Sequence, residues 1–256
     1  MISVVVANQK GGVGKTTTAV MVAHGLARRG YMTLLVDLDP QGQCASLLGM
    51  EQEPGVFDLL VGDKPLRDVI RTTGRDNLFI LPGNKRTATA QNITMLERRG
   101  IMVLKDSILR PFEKKGPEYV VFDTAPSVGG LQEGALYTAD LVLIPSCVDY
   151  LALEGVAQAV NTVNTIYNNI RGRICPPSLW ILPTFYDSVT KESQANLKRL
   201  RQHFPQVFGP IHRATVIRQT AAAGKTLFEL CSPETRAIKQ YEMVVDAIAR
   251  GTFHGG

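Results

Sequence analysis

The apolar residues of this chain follow two rhythms that alternate along its length. One is the short unbroken run: residues 2–7 (ISVVVA), 33–36 (TLLV), 78–81 (LFIL), 119–122 (YVVF), 141–144 (LVLI) and 179–182 (LWIL). A run that is apolar at every position suits a strand covered on both faces, as parallel strands are. The other rhythm is helical. It occupies residues 16–29, stopped by Gly30, then 152–170, 191–203 and 233–250, where Ala237, Ile238, Tyr241, Val244, Val245 and Ile248 share one face. Strand and helix patterns in alternation predict an α/β fold, a mainly parallel twisted sheet with helices on both faces. Pro176, Pro177 and Pro183 punctuate the last strand. Residues 42–78 carry neither rhythm clearly. No internal repeat or linker divides the chain, so a single domain over 1–256 is expected.

Several of these runs end in chemistry. Residues 10–17 (KGGVGKTT) follow the first strand and open the first helix. Glycines let successive backbone N–H groups converge on one anion, and the helix N-terminus adds the positive end of its dipole. In such a loop Lys15 reaches the β- and γ-phosphates and the Thr16 hydroxyl ligates Mg²⁺, with Gly11, Gly12, Val13, Gly14 and Thr17 completing the cradle. The alternative is a glycine-rich structural turn. The run at 119–122 closes on Asp123, where a carboxylate at a strand end can bind Mg²⁺ through water while the strand stays dry. The run at 33–36 leads into Asp37, Leu38, Asp39, Pro40, Gln41 and Gly42, so two carboxylates stand at the crevice where open α/β sheets bind ligands.

Composition narrows the setting. At 256 residues, 45% apolar and 20% charged, the chain has an ordinary globular balance and can bury a core without covalent staples. Cys44, Cys147, Cys175 and Cys231 show no metal-type spacing, nor do His24, His203 and His212, and the thiols read as reduced with packing as their default role. No apolar stretch reaches the ~18 residues of a membrane span, and the N-terminus runs into the glycine loop without a cleavage site, so an unprocessed cytoplasmic protein is expected. The net charge of +5 is unevenly placed. Between Lys191 and Lys225 stand Lys191, Lys198, Arg199, Arg201, Arg213, Arg218 and Lys225 against Glu192 alone. A basic stripe of this kind suits a polyanion, either nucleic acid or an anionic membrane; a solvated helix face is the plainer reading.

The glycine loop departs from GxxxxGK[ST], because Gln9 stands where the first glycine would be, but it fits KGGxGK[ST]T throughout. Together with DLDPQG at 37–42, DTAPS at 123–127, ADLVLIP at 139–145 and YLALEG at 150–155, it resembles the deviant Walker A ATPases of the ParA–MinD family, in their ParA/Soj branch. The family's usual DTPPS has Ala125 in place of one proline here. The resemblance covers most of the chain and implies an ATP hydrolase with ATP and Mg²⁺ as cofactors. In that reading Lys10 crosses a nucleotide-sandwich dimer to the partner's phosphates, Asp39 orients the attacking water and Asp37 lies near the Mg²⁺. Pro183 and Thr184, in the segment PTFYD, lie near the adenine.

For partners, the resemblance implies an ATP-dependent homodimer, non-specific DNA, and a ParB-like or other adaptor that stimulates hydrolysis while a plasmid, chromosome or protein organelle is positioned. The protein would be nucleoid-associated when ATP-bound. Arg218 stands where Soj-like proteins carry an arginine that contacts DNA phosphates, although the following TAAAG diverges. Lys198, Arg199, Arg201, Arg213 and Lys225 complete the expected footprint. Two other readings compete. A MinD-like membrane-cycling ATPase requires a basic amphipathic C-terminal helix, which RGTFHGG does not supply. An amidotransferase-related ligase, such as a cobyrinic acid amide synthase, uses a glutaminase domain for which this length leaves no room. The lack of a helix-turn-helix before the loop fits the short form without operator binding.

Overall fold

The computed structural model describes residues 1–96, 101–127, 129–169 and 176–251. All six expected strands form, and a two-residue strand joins them. Along the chain they are β1 (Ile2–Val6), β2 (Thr33–Asp37), β3 (Arg71–Thr72), β4 (Leu78–Leu81), β5 (Tyr119–Asp123), β6 (Leu141–Cys147) and β7 (Ser178–Thr184). They build one sheet in the order β3-β4-β2-β5-β1-β6-β7, parallel throughout except for β3 against β4. The winding sense reverses at β1, which lies between β5 and β6. In such a sheet the crevice opens at the C-terminal ends of the strands beside that switch.

Successive side chains of a strand point to opposite faces, so each apolar run feeds two cores. Val4, Val6, Leu35, Val121 and Leu143 belong to one cluster, and Val5, Leu34, Val36, Phe122 and Val142 to the other. The first cluster is covered by α1 (Lys15–Arg28), α2 (Gln43–Leu47), α9 (Val216–Ala223), α10 (Leu227–Leu230) and α11 (Arg236–Ala249). The second lies under α3 (Val56–Leu60), α4 (Leu66–Val69), α5 (Thr87–Leu96), α6 (Gly130–Tyr137), α7 (Ala152–Asn169) and α8 (Lys191–His203).

The six apolar residues read on one face of the last helix are all buried. That helix starts at Arg236 rather than Pro233, behind an extended Thr235. Where α11 crosses α1, a Cβ on Gly25 would lie 2.6 Å from Val245 Cγ2, so the glycine sets how closely the two helices pack. The helix expected over 152–170 is described as far as Asn169; Ile170 and Cys175 lie outside the described residues.

The unreadable stretch 42–78 holds α2, α3, α4 and β3, elements of two to five residues in which no period can be recognised. It is tied down by particular contacts. The α-carbon of Gly49, just after α2, would lie 2.7 Å from a Cβ on Gly224, just after α9, so neither position has room for a side chain. Arg75 clamps the same corner, donating to the carbonyls of Leu48 and Gly224 at 3.1 Å each and pairing with Glu229 at 2.9 Å.

Candidate phosphate and metal site

The glycine loop sits at the C-terminal end of β1, at the switch point. Gly12 and Gly14 have φ of +73° and +88°, the left-handed region where a side chain is strained. A Cβ on Gly11 or Gly12 would meet nothing within 4 Å, so the loop encloses open space rather than packed protein. Gly14 caps α1 with no side-chain hydrogen bond, leaving the first amides of the helix to a ligand. Lys15 is only 7% exposed, and its Nζ donates to the Lys10 carbonyl at 3.2 Å, folding the ammonium back over its own loop. Burial pushes its pKa down, and the carboxylates of Asp123 and Asp39 push it back up. Thr16 and Thr17 follow, half-buried.

Opposite the loop, Asp37 and Asp123 end neighbouring strands in register with each other, both fully buried. Asp37 accepts the amides of Asp39 and Cys44 at 3.0 Å each. Asp123 accepts the Cys44 thiol through Oδ2 at 3.5 Å, while its Oδ1 has no hydrogen-bond partner among the described residues. Burial raises the Asp123 pKa to about 7, with the neighbouring Thr16 hydroxyl holding it down, and raises Asp37 well above the carboxylate range, with the Asp123 charge adding to the effect. Two buried carboxyls with an unpaired oxygen are destabilising unless a cation or proton joins them. The donor set fits Mg²⁺, which favours one or two carboxylates, water and substrate phosphates. Asp39, half-buried, points its Oδ1 to the Gln41 amide at 2.9 Å.

Thr184 and Pro183 reach the same place from the end of β7. The Thr184 hydroxyl donates to the Val13 carbonyl at 2.9 Å, and the ring of Phe185 lies 3.7 Å from where a Gly14 Cβ would be. Pro183 is buried, and its carbonyl accepts the Ile211 amide. Lys10 forms an ion pair with Asp149 at 2.6 Å. Its amide is bonded to Asn8, which also holds the Pro145 carbonyl.

Two site residues escaped the sequence. Cys44, assigned to packing, lies against both buried carboxylates, and Asp149 holds Lys10. Neither forms a motif, since Cys44 is 79 residues from Asp123 and Asp149 is 139 from Lys10.

The basic stripe is the expectation that changes most. Lys198, Arg199 and Arg201 are exposed on α8, whose Leu200 packs into the second core. Lys225 follows α9, whose Val216 and Ile217 pack on the first. The segment therefore crosses the end of the sheet and divides its charge between opposite faces. Arg213 lies between them, with its guanidinium 5.9 Å from the Phe185 ring beside the phosphate loop. The backbone of Arg218 falls in α9; its side chain lies outside the described part of the structure.

A central parallel sheet, a KGGVGKTT loop at its switch point and paired strand-end aspartates define a P-loop nucleotide-binding protein of the deviant Walker A kind. Residues 1–175 match the family model described as an AAA domain. The chromosome-partitioning ATPase Soj of Thermus thermophilus is 35% identical over 96% of this chain and 95% of its own length. On that likeness the chain belongs to the ParA/Soj branch of the ParA–MinD family. The structure of apo McdA from Cyanothece, 22% identical, covers 97% of this chain and 99% of its own with a TM-score of 0.85, and so shares the fold. Cobyrinic acid a,c-diamide synthase from Mycobacterium smegmatis with bound ADP and magnesium is 29% identical, covers 100% of this chain and 97% of its own, and has a TM-score of 0.81. Chain length, expected to separate the ligase reading, does not separate it from that synthase. Among the described residues no helix is long and apolar enough to cross a membrane.

Proposed function

We propose that this chain is an ATP-driven switch. It hydrolyses ATP, pairs with a second copy while ATP is bound, holds DNA without sequence preference, and positions a cargo through an adaptor that stimulates hydrolysis. One observation carries the reading: the glycine loop holds two lysines in different places, Lys15 folded over it and Lys10 paired with Asp149. ATP bound with Mg²⁺ supplies the phosphoryl group and the anionic charge that the site must balance. The loop amides and Lys15 neutralise and orient the phosphates. Thr16 and Asp123 hold the Mg²⁺, and Asp37 braces the strand end beside it. Asp39 accepts a hydrogen bond from the attacking water and so aims its oxygen. Pro183 and Thr184 form the wall toward the base.

Lys10 acts across the pair. Its salt bridge to Asp149 is partly exposed, and such bridges contribute only ~0–1 kcal/mol, so the triphosphate of a partner is a stronger anion for it than Asp149. In that state the protein would be nucleoid-associated, and otherwise cytoplasmic.

The test is DNA binding by fluorescence anisotropy with ATP, ADP and no nucleotide, run beside flotation on anionic liposomes. With six phosphate contacts per dimer, log affinity should fall with log salt at a slope of about −5, alike for random duplexes of equal length. Liposome binding with ATP and none to DNA would favour the MinD-like reading. The synthase likeness supports a second reading, and ATP turnover that requires both a corrinoid acid and an amide donor would favour it.

A further inference from the structure

Cys44 has no part in the nucleotide chemistry above, yet it stands in the most enclosed corner of the site. One donor atom each from Asp37, Cys44 and Asp123 lies within 4.8 Å of the other two, and all three residues are fully buried. We propose that these three residues form a binding site for a thiophilic divalent cation of the zinc, cobalt or cadmium class.

Ligands on a tetrahedral ion with bonds of ~2.0–2.3 Å lie about 3.3–3.8 Å apart. Cys44 Sγ and Asp123 Oδ2 are already 3.5 Å apart, one edge of such a tetrahedron. The other two edges are no longer than 4.8 Å, and closing them draws Asp37 inward against the Asp39 and Cys44 amides that its oxygens accept at 3.0 Å. A second observation points to a cation: Asp123 Oδ1 is fully buried and, among the described residues, has no hydrogen-bond partner, so one carboxylate oxygen is left unsatisfied. The nearby ammonium of Lys15 is engaged by the Lys10 carbonyl. Mg²⁺ takes oxygen ligands and gains nothing from a sulfur, whereas zinc, cobalt and cadmium bind thiolate strongly. The thiol therefore gives this corner a preference that its carboxylates alone lack. On ligation the Cys44 S–H bond is exchanged for a metal–sulfur bond, and the proton leaves to solvent. Because Asp123 serves both cations, a soft ion there excludes Mg²⁺–ATP.

The probe is Co²⁺, added to the chelator-treated, nucleotide-free full chain in the presence of a non-coordinating reductant. The expected result is one Co²⁺ per chain with a thiolate-to-cobalt charge-transfer band in the near ultraviolet, erased by Zn²⁺. Cys44→Ser should lose the band and weaken Co²⁺ by on the order of 100-fold or more, while Cys147→Ser and Cys231→Ser keep both. Calorimetry with Mg²⁺–ATP and the thermal midpoint check that Cys44→Ser is folded. No band in the parent protein, or a band that survives Cys44→Ser, overturns the site. A metal-free parent chain that binds no Mg²⁺–ATP counts against the ATPase reading and leaves the cobalt result standing, whereas a Co²⁺-loaded chain that still binds Mg²⁺–ATP as the metal-free chain does overturns the overlap of the two cation sites.

Discussion

Burial lifts the pKa of Asp123 to about 7 and that of Asp37 well above the ordinary carboxylate range. A carboxyl whose folded pKa is raised lends its stability in full below the unfolded pKa and gives it up as pH climbs through the folded value. For Asp123 that window runs from 3.8 to about 7. His24, pushed down to about 4 by burial, acts the other way: its stability is present above its ordinary 6.5 and lost as pH falls through about 4. A comparison with Asp123→Asn cancels the histidine. As pH rises through the Asp123 window, the thermal midpoint of the nucleotide-free parent should fall relative to the variant; parallel curves would show that Asp123 does not titrate there. Lys15→Ala should abolish ATP binding in calorimetry, since the loop's other lysine, Lys10, is paired with Asp149 and does not take its place over the phosphates. Asp39→Ala should bind ATP yet stall with it, and a normal hydrolysis rate would remove Asp39 from its role. These residues were legible because each belongs to a contiguous motif with a chemical meaning. Cys44 and Asp149 were not, because what they touch is decided by the fold.

Elements were legible where their length exceeded a turn or two and their burial was uniform. β1, β2 and β5 read clearly because almost every side chain in them is covered. α11 read clearly because it is amphipathic over fourteen residues. α2 to α4 offer four or five residues each, and α6 hides its period behind Gly130 and Gly134. The crossing of α1 and α11 gives a test. Gly25→Ala improves intrinsic helix propensity by about 1 kcal/mol, but it drives a methyl into Val245, and overpacking of this kind costs ~1–3 kcal/mol. Urea denaturation should show a net loss, and Val245→Ala should recover part of it in the double variant. A stabilised Gly25→Ala protein would mean that the two helices separate freely.

At the scale of the molecule, position on the sheet matters more than position in the chain. Residues 191–225 look like one basic tract, but α8 and α9 pack on different cores, and no single straight duplex can lie on both faces of one protomer. Replacing Lys198, Arg199 and Arg201 with alanine, and separately replacing Lys225, should therefore have unequal effects on ATP-dependent DNA affinity. Equal losses per charge removed would show that both faces are used at once. The run of charge was visible in the sequence; its division was not, because the turn past β7 that reverses it contains no motif. Lys10 and Asp149 bring two distant parts of the chain to the rim where a second copy would arrive. Lys10→Ala should leave ATP binding by the isolated chain largely intact while weakening the ATP-dependent pair, as sedimentation would report; equal loss of both would place Lys10 in its own pocket. On the proposed pairing, the salt bridge would also impose an order in time. A partner that came without nucleotide would offer Lys10 no anion better than the one it already has, so an empty encounter would leave the lysine where it was and the two copies would part.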